Sequence, residues 1–252
     1  MSGAAGFAGN RFVGASWRPG ADGELIARLR RLTASWSVRS GDGWLIASER
    51  PGAFAETDGV ALAMGRDQAF DRGAETLADA ADLVARLAGA GPSALGSMAP
   101  PFRAAWVETA KGVIHADIDT FGLGQLFLGQ GDGFAGLSSS ATLLADVLGA
   151  PLSPESLAAY AAFGNFLCGE SPYAGVARLD AGASATLALG RLTTADRPLP
   201  THPGGSVRET FAAAVGAMLK AAPDAEIGLS GGLDSRVVLA AIPRDQRRGR
   251  HT

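Results

Sequence analysis

Brief apolar runs closed by Gly, Asp and Pro are the strongest constraint on how this chain folds. Trp44–Ala47 and Val60–Met64 are of this kind, and each reads as a short buried strand. Residues 73–90 change period. Leu77, Ala80, Leu83, Val84 and Leu87 recur at helical spacing, and Gly89 with Gly91-Pro92 closes the segment. Phe102–Val107 and Gly112–Ile118 return to strand character. Phe121–Leu128 continues it, and Gln130–Gly133 supplies a turn. Two helices are expected next, one over Ala141–Leu148. The other has Ser153 as N-cap and Pro154 in its first turn, and stops near Gly164. Val176–Leu189 reads as a strand or hairpin around Asp180–Gly182. Residues 193–205, with three prolines and two glycines, read as a linker.

Composition narrows the function classes. The 252 residues, 47% of them hydrophobic, suffice for one large core or two smaller ones. A single cysteine, Cys168, excludes an internal disulfide and is expected to be a small core residue; three scattered histidines give no zinc framework. A net charge of −3 argues against binding nucleic acid through its phosphates. No apolar run approaches the ~20 residues of a membrane-spanning helix. The first residues lack a basic start before an apolar stretch, so a cytoplasmic location is expected.

Beyond the linker the signals sharpen. Ser206–Glu209 has the capping-box pattern, and Val207, Phe211, Val215 and Met218 form an apolar stripe on the helix that follows. Glu226–Leu229 reads as a short buried strand, Ser230–Gly232 as a tight loop, and Leu233–Ile242 as a helix. A glycine pair between strand and helix lets the backbone approach a ligand, and the free N–H groups of the helix start favour an anion. Ser230 and Ser235 add hydroxyl donors. Asp234 makes sense beside phosphate oxygens if Mg²⁺ bridges them. The segment is neither a Walker loop nor a dinucleotide fingerprint. Gly228-Leu-Ser230-Gly-Gly232 does fit the nucleophile elbow of a serine hydrolase. That reading has only Asp234, Asp245 and His251 downstream as partners, with too little chain for a hydrolase sheet.

Leu229-Ser-Gly-Gly-Leu-Asp-Ser235 resembles the pyrophosphate-binding loop of the ATP-pyrophosphatase superfamily, in the form used by asparagine synthetase-like ligases. The resemblance implies ATP and Mg²⁺ as cofactors. Ser230, Gly231, Gly232, Asp234 and Ser235 would hold the phosphates, and Asp234 would place the metal. It also implies adenylation of a peptide or small-molecule carboxylate, followed by amine attack. Upstream, Ala94–Trp106, Asp117–Phe127, Phe134–Leu144, Leu157–Gly164 and Val176–Leu187 resemble, in order, landmarks of the family's glutaminase-type domain. The fold class implied is α+β. An N-terminal-nucleophile-type αββα sandwich would occupy residues 1–192, followed by a linker at 193–205. The start of an α/β ATP-pyrophosphatase (PP-loop) domain would occupy 206–252.

The departures from that family are specific. Active glutaminases begin Met-Cys-Gly, whereas this chain begins Met1-Ser2-Gly3, and a serine hydroxyl is a far weaker nucleophile than a thiol. Where the family has Asn-Gly-Glu-Ile-Tyr-Asn, this chain has Met64-Gly-Arg-Asp-Gln-Ala-Phe70. No ammonia production is expected, and Ser2 is not assigned a catalytic role. A silent glutaminase domain and Arg236 after Asp234-Ser235 resemble the lasso-peptide macrolactam cyclase branch, which implies a precursor peptide and its processing proteins as partners. True asparagine synthase and a peptide-docking module are the alternatives. The family's synthetase domain continues far past its loop, so the chain is expected to be an N-terminal piece without full activity. Three further groups complete the reading. His115, Asp117 and Asp119 alternate along a strand and could in principle hold a metal, but an edge strand's solvent face is the simpler expectation. The four tryptophans read as core. Arg28, Arg30 and Arg31 read as a solvated helix face.

Overall fold

The computed structural model describes residues 9–167, 169–197 and 204–247. Ser2 and Cys168 lie outside them. The chain divides into two compact units, Met1–Ala69 with Asp79–Leu199, and Phe70–Ala78 with Pro200–Thr252.

The first unit is built on two six-stranded antiparallel sheets. One contains β1 (Phe12–Trp17), β2 (Ser37–Gly41), β3 (Trp44–Ser48), β10 (Phe127–Gly131), β11 (Phe134–Ser138) and β12 (Val176–Arg178), in the order β12-β10-β11-β1-β3-β2. The other contains β4 (Phe54–Thr57), β5 (Val60–Met64), β8 (Arg103–Glu108), β9 (Val113–Ile118), β13 (Ala183–Ala188) and β14 (Arg191–Asp196), in the order β14-β13-β9-β8-β5-β4. β6 (Gln68–Asp71) and β7 (Thr76–Asp79) pair separately.

Strand alternation produces the layering. Phe12, Ile46, Ala63, Val107, Ile114, Ala116, Leu137 and Leu187 point inward and form one buried core shared by both sheets. The intervening residues Val13, Ala15, Leu45, Ala47 and Phe134 face the other way and are equally buried, against Leu29, Leu143 and Val147. Those side chains come from α1 (Gly23–Leu32) and α3 (Ala141–Leu148). On the second sheet, α2 (Ala80–Ala90) buries Leu83, Val84 and Leu87 over β4 and β5. The result is a helix–sheet–sheet–helix sandwich, as the sequence led us to expect. Trp17, Trp44 and Trp106 are buried in it, and Trp36 packs on its edge. α4 (Pro154–Phe163) starts at Ser153, whose hydroxyl accepts from Ser156 N–H, and ends on left-handed Gly164.

Four expectations are corrected. The segment 73–90 is not one helix: Leu77 lies in β7, and α2 begins only after Asp79, which forms a capping box with Asp82. This cap outweighs the apolar period upstream of it. Val176–Leu189 is not a hairpin, since β12 pairs with β10 while β13 pairs with β9 and β14 in the other sheet. Residues 193–196 belong to β14 rather than to a linker, held by pairing with Ala183–Thr186. Finally, Phe121–Leu126 is a turn.

The reason for that turn is Asp119. Its buried carboxylate accepts the backbone N–H groups of Phe102, Phe121, Leu123 and Gly124. Its own carbonyl accepts from Gly122 and Gly182. One side chain thereby fixes the end of β9 against the start of β8. Hydrogen bonds to a charged acceptor are the strong ones, and leaving buried donors without an acceptor costs more than losing a neutral pair. Asp119→Ala is therefore expected to destabilise this unit by about 3–5 kcal/mol, and Asp119→Asn by less because one acceptor oxygen remains. Urea unfolding of the three proteins followed by tryptophan fluorescence checks this; unchanged midpoints would contradict it.

Candidate functional site

The second unit carries α5 (Val207–Ala221) and α6 (Leu233–Ala241). The capping box starting α5 is present: Ser206 Oγ accepts from Glu209 N–H at 3.2 Å, and the Glu209 carboxylate accepts from Ser206 N–H. These hydrogen bonds hold the Glu209 carboxyl below its ordinary pKa. The expected apolar stripe is not a core, however. Val207 and Met218 are 84% and 50% exposed, while Leu219 is buried. The expected buried strand at 226–229 is a lone bridge at Ile227, with Leu229 exposed. Two helices and a short hairpin offer too little apolar area to bury every such face.

Within that setting the loop closes on itself. Gly231 adopts φ +75°, a conformation that favours glycine. The turn brings Ser230 Oγ and Ser235 Oγ to 3.3 Å, while Gly232 N–H donates to Ser230 Oγ at 3.4 Å. Gly232 is the N-cap of α6 and has no side chain to satisfy the helix's first N–H groups. Its carbonyl accepts from Ser235 Oγ and Arg236 Nε, the latter at 3.2 Å. Asp234 is exposed in the first turn. Ser230, Gly232 and Ser235 are thus gathered, with Gly231 making the turn and Asp234 beside them. A Cβ at Gly228 or Gly231 would meet only open space. Ser230 has no imidazole within hydrogen-bond reach among the described residues, and no continuous strand precedes it. The nucleophile-elbow reading loses the strand it requires, and its candidate base, His251, lies outside the described residues.

In the first unit, the segment that departs from the glutaminase pattern lines a cleft of about 220 Å³, bounded by Met64, Gly65, Arg66, Phe102, Arg103 and Leu123 among others. Arg103 sits at the start of β8 and lies across two glycines: an added Cβ at Gly65 would come within 2.5 Å of its side chain, and one at Gly9 within 2.7 Å. Its NH1 donates to Gln125 O at 3.1 Å, and its Nε is buried with no hydrogen-bond partner among the described residues. Burial, and then the neighbouring Arg66, lower its pKa. Arg103 is only weakly marked in the sequence. Its signal was a lone arginine opening an otherwise apolar strand, Phe102-Arg-Ala-Ala-Trp-Val.

The alternating His115, Asp117 and Asp119 do not converge. β9 is a central strand between β8 and β13, so the edge-strand expectation also fails. His115 stacks on Trp106 and lies 3.2 Å from Glu108 and 3.3 Å from Thr186. Asp117 is buried and pairs with Arg197 at 3.0 Å. Asp119 is occupied by the turn. Among the described residues no group of three or more His, Cys, Asp or Glu side chains could hold a metal ion. None of the described helices is long and apolar enough to cross a membrane.

No protein-family model matches the chain, and no curated protein sequence matches it. Among solved structures, it is similar to the glutamine phosphoribosylpyrophosphate (PRPP) amidotransferase from B. subtilis complexed with ADP and GMP, with a TM-score of 0.48 and 11% identity. The match covers 96% of this chain and 64% of that one, so the chain spans less than two thirds of that protein's length.

Asp117 gives the first unit a measurable pH dependence. Burial raises its pKa above the ordinary 3.8, with Arg197 opposing that rise. The folded protein then holds this proton more tightly than the unfolded chain, so stability falls as pH rises from about 3.8 toward the folded value. Below that window the group contributes no penalty. Asp117→Asn is expected to flatten this part of the stability–pH curve in urea titrations from pH 3.5 upward. A variant curve parallel to wild type would contradict the assignment.

Proposed function

We propose that the chain carries the pyrophosphate-binding loop of an asparagine synthetase-like, ATP-dependent amide ligase, preceded by a glutaminase-like sandwich that makes no ammonia. The observation carrying this reading is the arrangement at 230–235. Two serine hydroxyls face each other across a glycine turn at the uncapped start of a helix, with a carboxylate beside them. Such a site suits phosphate oxygens, which accept from hydroxyls and from helix-start N–H groups. The residues fit Mg²⁺ as well. That ion commonly takes one or two carboxylates together with phosphate oxygens and water, so Asp234 needs no second carboxylate.

In this reading a substrate carboxylate would displace pyrophosphate from ATP, and an amine would then displace AMP to form the amide. Ser230, Ser235 and the N–H groups after Gly232 hold the pyrophosphate portion. Asp234 holds the cation that offsets its charge. Arg236, bonded to the Gly232 carbonyl, fixes the loop from behind. The sandwich, with its helix–sheet–sheet–helix layers, agrees with the N-terminal-nucleophile-type domain that the sequence resembles. Met64-Gly-Arg-Asp-Gln-Ala-Phe70 stands where that family has Asn-Gly-Glu-Ile-Tyr-Asn, which favours an internal amine over ammonia. The macrolactam cyclase branch, with a peptide carboxylate as substrate and a precursor peptide as partner, follows from this and from Arg236.

Titration calorimetry with magnesium pyrophosphate tests the loop. Hydrogen bonds to a charged group are worth roughly 1.5–3 kcal/mol, so Ser230→Ala should weaken binding about tenfold or more. Asp234→Asn should abolish the Mg²⁺ dependence. Equal binding by wild type and both variants would refute the loop assignment.

A further inference from the structure

We infer that the cleft beside Gly65 binds the carboxylate of a small ligand with a short apolar tail, held between the guanidinium groups of Arg66 and Arg103. It is a different site from the serine–glycine loop and depends on none of the residues 230–235.

The first argument is uncompensated charge. Arg66 and Arg103 line the same cleft, and among its described lining residues there is no acid. The nearby acids are engaged elsewhere. Asp119 spends its carboxylate on four backbone N–H groups. Asp67 lies 3.7 Å from Arg50. Arg103 is held largely out of water across Gly9 and Gly65, with Nε lacking a partner among the described residues. A half-buried cation with no counter-charge is costly, and an anion between two guanidiniums relieves desolvation and mutual repulsion together. The lowered pKa of Arg103 reflects the same two causes.

The second argument is shape and chemistry. Arginine presents a planar fork that matches a carboxylate in two parallel hydrogen bonds. Beside the polar Gln68 and the glycine backbone, the exposed side chains of Pro101 and Leu123 offer apolar contact to a short tail, contact of no use to a bare inorganic anion.

The probe is 4-methylpentanoate, with its neutral amide and inorganic phosphate as comparison ligands, titrated calorimetrically into the full chain at constant ionic strength. The acid is expected to bind at least tenfold more tightly than either the amide or phosphate. Arg66→Gln, at an exposed side chain, should weaken binding of the acid at least tenfold with the melting temperature retained. Ser230→Ala should leave it unchanged. If Arg103→Gln folds, it should lose binding as well. Undetectable binding of the acid, equal binding of the amide, tighter binding of phosphate, or full affinity in Arg66→Gln would each overturn the proposal.

Discussion

The inner faces of the two six-stranded sheets must be kept from water, and most of the first unit follows from how that is done. Phe12, Ile46, Ile114, Leu137 and Leu187 fill the space between the sheets from opposite sides. Because β1, β3 and β11 are apolar on both faces, one layer of contact is not enough. Their outer residues need cover, and α1 and α3 supply it through Leu29, Leu143 and Val147. A strand buried on both faces thus dictates a four-layer arrangement. Asp119 then locks the place where β9 turns back, using a charge to do what a run of apolar residues cannot. The cleft at Gly65, Arg66 and Arg103 lies beside this turn, with Leu123 and Gly124 in its wall.

The second unit obeys a different constraint. Its helices expose much of their apolar surface, and its conspicuous residues are polar ones held by short-range hydrogen bonds. Ser230, Gly232, Ser235 and Arg236 interact within a seven-residue stretch, so local sequence alone determines the loop's shape. In the first unit, by contrast, the two arginines of the cleft come from β8 and from the loop after β5, and are brought together by sheet pairing.

That difference explains what could be read from the chain. Runs such as Val60–Met64 and Ala141–Leu148 coincide with their elements because local pattern and tertiary burial agree there. The capping box at Ser206 and the Ser153-Pro154 helix start are equally local. Most misreadings occur where a distant partner decides. Phe121–Leu126 looks like strand until four amides are seen to converge on Asp119. Val176–Leu189 looks like a hairpin because nothing in its composition shows that its halves enter separate sheets. One misreading is local: Leu77 fits a helical period, yet the carboxylates of Asp79 and Asp82 start the helix after it. The cleft was invisible because its partners are distant: an arginine in a strand has no meaning until Gly9, Gly65 and Arg66 surround it.

The central claim is that the loop at 230–235 is a phosphate site built from its own hydroxyls and helix-start amides. Mapping of backbone amide shifts on titration with magnesium pyrophosphate tests it most directly. The account predicts saturable shifts concentrated at Gly231, Gly232, Leu233, Asp234 and Ser235, with Gly65 and Arg103 unmoved. Shifts centred on Gly65 and Arg103 with the loop silent, or none at all, would contradict it.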